Sequence, residues 1–229
     1  MPPPPYGPRS HSLPALLKCI ERRQLDLVDL LVALCDLVSS SFGAESMRLG
    51  DTVRHCNGLQ TLSSLLDDAR VEVRKRALFV IANLSSDAFD EKSALSKRLL
   101  LECGTDSRLE RCLKRESDDE ALTYAVASLQ NLCHDAEWAK ACLQRGLDAH
   151  LNMLIASQDA HIGRYASGAI RNLASHQRGA AIASHDAITS EQPQNWRERT
   201  CQISSRVCLA LPRVWLIIAL LASWPCISH

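Results

Sequence analysis

Aromatic residues are scarce in this chain of 229 residues, since four Trp, three Tyr and three Phe make up only 4% of it. Glycine and proline number nine each, and four of the prolines occupy positions 2–5. A β-sandwich normally needs more aromatic, β-branched and turn residues than this chain offers. The composition therefore favours a helical protein built from Leu, Ala, Ser and Arg.

A net charge is also absent, because 26 Lys and Arg balance 26 Asp and Glu. This balance excludes an overall basic field of the kind that binds nucleic acid, and no nucleic-acid partner is expected. The chain also lacks an HExxH motif, a GxSxG motif, a P-loop and a glycine-rich dinucleotide turn. We therefore expect a protein that is not an enzyme and that uses no cofactor and no catalytic metal.

Ten cysteines are present, but no CxxC pair and no secretory signal accompany them. Seven of the ten lie in apolar helical patterns, where a free cysteine behaves as a small hydrophobic residue. We therefore expect reduced thiols and an intracellular protein of the cytoplasm or the nucleus. A zinc site is not expected, since no ligand pair has the spacing of a structural zinc site.

Three segments share a helix that ends in Asn-Leu, and they repeat along the middle of the chain. Aligned on Asn83, Asn131 and Asn172, the segments carry Ala six residues earlier, an aliphatic residue two residues earlier and Leu one residue later. These steps of four and three residues lie on one face of a helix. The spacing of the asparagines, 48 and then 41 residues, is typical of HEAT and armadillo repeats.

Each unit also carries signals upstream of its last helix. A glycine precedes the asparagine by 25 to 27 residues at Gly58, Gly104 and Gly146, and an amphipathic stretch follows each glycine. Asp118 and Asp159 stand 13 residues before their asparagines, where the N-cap of the last helix is expected. The pattern therefore predicts three helices in each full unit, with a glycine break after the first helix and an acidic turn before the third.

With these motifs in register, the chain resembles the armadillo-repeat family. The residues that carry the likeness are the Asn-Leu endings, the Gly-Leu starts at Gly58 and Gly146, and the alanine column. The resemblance implies an all-α, right-handed α-solenoid of about three full repeats with partial flanking repeats. It also implies that the third helices line a groove that binds an extended peptide or another protein.

The domain organisation follows from the same pattern. We expect a disordered proline-rich leader at 1–11, an armadillo domain at 12–190 and a divergent hydrophobic segment at 191–229. The predicted repeats are 12–40, 44–86, 92–134 and 136–176, with a partial repeat at 177–190. In the first unit, Asp36 occupies the asparagine column.

The resemblance implies that the three asparagines hydrogen-bond the backbone of a bound peptide. An alternative is that they only stabilise neighbouring turns of the stack. The tryptophan that importin-like repeats place four residues before the asparagine is absent, since Phe79, Ala127 and Gly168 stand there. Of these three residues, Phe79 is itself a groove candidate. The remaining groove candidates are Lys75, Arg76, Tyr124, Arg164, Tyr165 and Arg171. This set is mildly basic and includes two tyrosines, so it favours a neutral or acidic peptide. The alternative is that these residues form only a solvated face.

The two ends carry weaker signals. Pro3, Pro4 and Tyr6 belong to a PPxY pattern of the kind that WW domains bind. Residues 214–224 carry no charge, but a membrane-spanning helix needs about 20 apolar residues. A membrane contact is therefore expected only through 207–227, and this tail could instead cap the solenoid or be an aberrant chain end.

The sequence as a whole predicts a non-catalytic scaffold or adaptor that binds a protein or peptide along the groove. Two alternatives remain open. One is a co-chaperone or nuclear-transport adaptor of the same fold, and the other is a tail-anchored membrane protein.

Overall fold

The structure, a computed structural model, describes residues 12–23 and 26–189, with side chains described as far as residue 178. These residues form eleven α-helices and no strand. Among the described residues, one compact unit ends at Gly179 and a second unit begins at Ala180. In chain order, the helices are α1 (Leu13–Glu21), α2 (Leu27–Ser40), α3 (Ala44–His55), α4 (Gly58–Leu65), α5 (Val71–Leu84), α6 (Ser93–Glu102), α7 (Thr105–Arg115), α8 (Asp119–Leu132), α9 (Ala136–Gln144), α10 (Leu147–Leu154) and α11 (Ala160–Thr189).

The first unit is a stack of helix triplets in which the third helices lie side by side. Helices α1 and α2 begin the stack, and the triplets α3–α5, α6–α8 and α9–α11 follow. Within the stack, α5 packs between α2 and α8, and it also packs on α4 of its own triplet. We call α2, α5, α8 and α11 the third helices.

A single apolar core runs through the stack. Leu, Ile, Val and Ala side chains fill most of it, and the largest side chain buried within it is that of Trp138. Because the layer of stacked helices is thin, small aliphatic residues fill it and few aromatic residues are needed. The scarcity of aromatic residues in the sequence has this structural cause.

The acidic turns cap the third helices where the sequence predicts it. Asp118 Oδ1 accepts a hydrogen bond of 2.8 Å from the backbone N–H of Ala121 at the start of α8. Asp159 Oδ1 accepts bonds of 2.7 Å and 3.2 Å from the N–H groups of His161 and Ile162 at the start of α11. The predicted N-caps are therefore present in both repeats.

The glycine breaks are present in two repeats and modified in the third. Gly104 and Gly146 have φ values of +69° and +67°, in the left-handed region that glycine occupies without strain. In the α3–α4 turn, Asn57 takes this conformation instead, with φ of +54°. The neighbouring Gly58 serves close packing, since an added Cβ would lie 2.7 Å from Cγ1 of Val53.

The last helix differs from the expected segmentation. Helix α11 runs without a break from Ala160 to Thr189, across residue 177, where the sequence predicts a partial repeat to begin. No new helix starts at that point, although the repeat boundaries themselves stay predictions. The predicted leader at 1–11 and tail at 191–229 lie outside the described residues.

Candidate functional site

The three column asparagines lie at the ends of α5, α8 and α11, and two of them link adjacent third helices. Asn131 Nδ2 donates to the carbonyl of Ala82 in α5 at 2.8 Å. Asn172 Nδ2 donates to the carbonyl of Gln130 in α8 at 2.8 Å. Asn83 instead bonds its own helix, through the carbonyl of Phe79 at 2.9 Å. Stabilisation within the stack is therefore one role of this column.

Packing of the neighbouring leucines fixes the direction in which these asparagines point. Leu84, Leu132 and Leu173 directly follow the asparagines, and each is at most 2% exposed. Because successive helical side chains lie about 100° apart, burying the leucine places the asparagine at the rim of the core. A carboxamide has two N–H donors and an acceptor oxygen, so the bonds described leave one N–H and the oxygen for a ligand.

A shallow polar pocket of about 160 Å³ opens beside two of the asparagines. It lies where α5 and α8 end and where α6 passes next to them. Asn131 and Asn172 both line it, whereas Asn83 does not. The other lining residues are Ser85, Asp87, Lys97, Gln130 and His134.

The charges inside this pocket neutralise each other. Lys97 Nζ lies 2.7 Å from Oδ1 of Asp87, and the lysine side chain is only 5% exposed. Burial tends to raise the pKa of Asp87, but hydrogen bonds from Lys97 and Ser93 outweigh burial and keep that pKa below its ordinary value. Asp87 is therefore ionised at neutral pH, and the pocket offers hydrogen-bonding groups with little net charge.

The sequence did not identify these other lining residues as candidates. Ser85, Asp87 and His134 lie within three residues after the Asn-Leu endings, so their position after the motif could have indicated them. Lys97 comes from α6, and its approach to the pocket depends on the stacking of the triplets. No sequence spacing indicates that approach.

The basic candidates on α5 are held in ion pairs. Lys75 Nζ lies 2.9 Å from carboxylate oxygens of both Glu72 and Glu120, so it links α5 to α8. Arg76 Nη2 lies 2.6 Å from Glu72. Burial tends to lower the pKa of Lys75, but the hydrogen bonds that its ammonium donates to Glu72 and Glu120 outweigh burial and raise that pKa. Two cations thus face two carboxylates in the middle of the layer.

The aromatic candidates Phe79 and Tyr124 pack edge to face across α5 and α8. Their ring centroids are 5.3 Å apart, and the ring planes meet at 74°. The Tyr124 hydroxyl donates to Glu120 at 3.1 Å. Burial and the nearby Glu120 raise the pKa of this phenol, so it stays protonated. Both rings are half-buried and form an apolar patch between the helices.

The candidates on α11 form a separate group. The Arg164 guanidinium lies 5.4 Å from the ring centroid of Tyr165, in a cation–π arrangement. It also lies 3.0 Å from Nδ1 of His161. Arg164 and Arg171 are both exposed. All ten predicted groove residues thus lie on third helices, and α5 and α8 bring six of them together.

The part of the chain that the structure describes holds neither a metal-ion cluster nor a membrane-spanning helix. Across 12–23 and 26–189, no group of three or more His, Cys, Asp or Glu is arranged to hold a metal ion. Over the same residues, no helix is long and apolar enough to span a membrane. The seven described cysteines are free thiols, and they are Cys19, Cys35, Cys56, Cys103, Cys112, Cys133 and Cys142.

Comparison with solved structures finds similar folds among designed proteins. A designed armadillo repeat protein in complex with the peptide (KR)4 matches with a TM-score of 0.58 and 24% identity, over 71% of this chain and 64% of that one. Computationally designed armadillo repeat proteins for modular peptide recognition match with a TM-score of 0.61 and 24% identity, over 75% of this chain and 70% of theirs. An engineered protein matches with a TM-score of 0.61 and 21% identity, over 72% and 63%.

No protein-family model matches the chain, and no curated protein matches it. The chain spans about 63% of the length of the first engineered protein that it matches. At this level of identity, the likeness to solved structures shows the fold alone. It confirms the predicted all-α solenoid of stacked armadillo-like repeats.

Proposed function

Because this chain has an armadillo-like repeat fold, we propose that it is a non-catalytic scaffold that binds an extended segment of a partner protein. We define the groove as the face of the third helices that carries the ten candidate residues. The observation that carries the proposal is the pair of bonds by which Asn131 and Asn172 are held against the preceding third helix. A side chain held in this way loses little further conformational freedom when it binds a ligand.

The remaining polar groups of these asparagines suit a peptide backbone. An extended segment presents N–H donors and carbonyl acceptors along its edge, and each carboxamide retains one donor and one acceptor. Both asparagines also border the polar pocket, which can hold a side chain or water next to the bound backbone. The stabilising role of the asparagines and the binding role are therefore compatible.

The composition of the groove favours a neutral or acidic segment over a basic one. One structural neighbour is a designed protein in complex with (KR)4. In this chain, the positions four residues before the asparagines hold Phe79, Ala127 and Gly168, so stacking surfaces for cationic side chains are few. We therefore propose that the partner segment is not uniformly basic.

We further propose that the protein acts inside the cell, in the cytoplasm or the nucleus. The seven described cysteines are free, and burial raises the pKa of the Cys112 and Cys35 thiols, the latter to about 12. Free cysteines that form no disulfide are typical of a reducing compartment. The WW-domain contact through Pro3, Pro4 and Tyr6, and a membrane contact through 207–227, fall outside the described residues and stay predictions.

The groove can be tested with peptides selected from a random twelve-residue library displayed on phage and bound to the full-length chain. We expect the double substitution Asn131→Ala and Asn172→Ala to weaken the selected peptides about 30-fold. Two lost hydrogen bonds at about 1 kcal/mol each give this ratio. Fluorescence anisotropy with the synthesised peptides measures the dissociation constants, and circular dichroism measures whether helicity is retained.

Asn152→Ala provides a matched control, since Asn152 is an exposed asparagine on α10, away from the third helices. This control should bind the selected peptides as the unaltered chain does. Equal binding by the double variant, or a library that yields no enriched peptide, would count against the groove. Competition by an intact folded domain but by no peptide would favour the co-chaperone or transport-adaptor alternative.

A further inference from the structure

We propose that the partner segment is charge-polarised, with a basic end over α2, an apolar middle over α5 and α8, and an acidic end over α11. The inference rests on the groove function proposed above and specifies the class of partner. It is carried by the distribution of paired and exposed charges along the four third helices.

The α2 end of the groove is acidic. No Lys or Arg occurs between residues 26 and 40, whereas Asp29 and Asp36 are both exposed. Their spacing of seven residues places them two turns apart on one face of α2. Among the described residues, no cation forms an ion pair with either carboxylate.

The burial pattern places this acidic face in line with the groove. The six buried residues of α2 each lie 47 residues before a buried residue of α5 or of its C-cap, Ser85. The same shift of 47 residues carries Asp36 onto Asn83 and Asp29 onto Arg76. Asp36 therefore takes the repeat position that Asn83 has in α5, and Asp29 takes the position of the groove residue Arg76.

The middle of the groove carries no surplus charge. Lys75 and Arg76 face Glu72 and Glu120 in the ion pairs described above, so their charges cancel. Between them and the asparagines lie the half-buried rings of Phe79 and Tyr124. An apolar side chain of the partner can pack on these rings without leaving a charge unpaired.

The α11 end is basic for a specific reason. In α5, Lys75 is held by Glu72, three residues before it, and by Glu120 of the next third helix. In α11, Arg164 occupies the Lys75 column, but His161 replaces the glutamate, and the described residues contain no further third helix. Residues 160–178 contain no Asp or Glu.

Arg164 is accompanied by other cations on the same side of α11. Arg171 and Arg178 follow it at intervals of seven residues, and all three are exposed. Among the side chains that the structure describes, no carboxylate forms an ion pair with any of them. This cationic stripe therefore favours carboxylates of a partner.

The dimensions of the layer set the length of the segment. Adjacent packed helices lie about 8–10 Å apart, so three steps from α2 to α11 cover roughly 24–30 Å. An extended chain rises about 3.3 Å per residue, which gives a segment of about eight or nine residues. The two charged ends are separated by more than two Debye lengths at physiological salt, about 8 Å each, so each end can be tested independently.

The test uses acetylated nine-residue peptides with the full-length chain. The probes are KKKALAEEE, its reverse EEEALAKKK, and the mixed isomer KEKALAEKE of identical composition. We expect at least one of the two block peptides to bind about threefold to tenfold more tightly than the mixed isomer, as several exposed charge pairs add together. We also expect 0.5 M NaCl to remove most of this difference.

Charge-reversal variants locate the two ends. The variant Asp29→Lys with Asp36→Lys should lose the preference for a block peptide over the mixed isomer. It should also bind EEEALAEEE more tightly than the unaltered chain does. The variant Arg164→Glu with Arg171→Glu should gain affinity for KKKALAKKK instead. Glu45→Lys and Arg98→Glu are matched controls at exposed sites off the third helices. The neutral variants Asp29→Asn with Asp36→Asn serve if a reversal impairs folding.

The outcomes separate the two proposals. Equal affinity for block and mixed peptides, or end variants that leave the preferences unchanged, would overturn the charge-polarised partner. If the peptides selected from the random library still require Asn131 and Asn172 for binding, the proposed groove function would stand although the charge-polarised partner had been refuted. If, in addition, no peptide from the library binds the chain, both proposals fail together.

Discussion

At the scale of single residues, the buried ion pair between Arg74 and Glu116 shows how successive repeats are joined. Arg74 in α5 donates to Glu116 through Nε at 2.9 Å and through Nη2 at 3.0 Å. Its Nη1 donates to the carbonyls of Asp68 and Ala69, so most of the guanidinium is satisfied. Glu116 lies in the turn between α7 and α8. The pair therefore fixes α5 against the turn that leads into α8.

Removing one partner of this pair should be costly. We expect Glu116→Ala to lower the free energy of unfolding by about 3–5 kcal/mol, because it leaves the buried charge of Arg74 unpaired. Urea unfolding followed by circular dichroism measures this change. Glu102→Ala is the matched control, since Glu102 pairs with Arg98 at 3.6 Å and both side chains are more than 60% exposed. Its cost should be at most about 0.5 kcal/mol, and equal costs for the two variants would refute the assigned role of Glu116.

At the scale of elements, the turn between the first and second helices of a repeat needs one residue with positive φ. Gly104 and Gly146 fill this position in two repeats, and Asn57 fills it in the triplet α3–α5. A residue with a Cβ is strained in the left-handed region, whereas Asn tolerates that region through local hydrogen bonding of its side chain. The turn therefore requires a backbone conformation and not glycine as such.

Gly146 isolates this requirement, since an added Cβ would have no atom within 4 Å. We expect Gly146→Ala to lower the free energy of unfolding by about 1 kcal/mol, and Gly146→Asn to lower it by less than half of that amount. Thermal and urea unfolding of the two variants measure both values. An alanine variant as stable as the unaltered chain would show that this turn tolerates another conformation.

At the scale of the whole molecule, paired carboxylates link stability to pH. Hydrogen bonds from Lys92 and Arg54 lower the pKa of Asp51 from 3.8 to about 2. The pKa is lowered in the same way at three further carboxylates, which accept hydrogen bonds from neighbouring cations: Asp68 from Arg70, Glu72 from Lys75 and Glu110 from Lys114. The folded state thus favours the ionised form of each group.

A carboxylate whose pKa is lower in the folded state stabilises the fold above its unfolded pKa. This contribution disappears as the pH falls through the folded pKa. We therefore expect a nearly constant melting temperature from pH 8 to about pH 5, and a progressive decrease between about pH 4.5 and pH 2. Thermal melts followed by circular dichroism measure the profile, and a melting temperature that rises in this acidic range would contradict the role of these pairs.

The sequence by itself determined the helices, their order and the columns of the repeat. Helical periodicity and the aspartate caps depend on residues within a few positions of one another, and the asparagine column recurs at a regular spacing along the chain, so a single sequence contains them. The continuous helix α11 is the exception, since nothing in residues 177–189 stops it after Asn172. Gly179 alone does not end a helix, because glycine within one costs only about 1 kcal/mol relative to alanine.

Only the tertiary structure decided which groups these residues contact. Asn131 bonds a carbonyl 49 residues away, and Arg74 pairs with a carboxylate 42 residues away. The neutral middle of the groove likewise depends on Lys75 reaching Glu120 of the next third helix. Such partners are set by the stacking of whole repeats, and local spacing in the sequence carries no information about them.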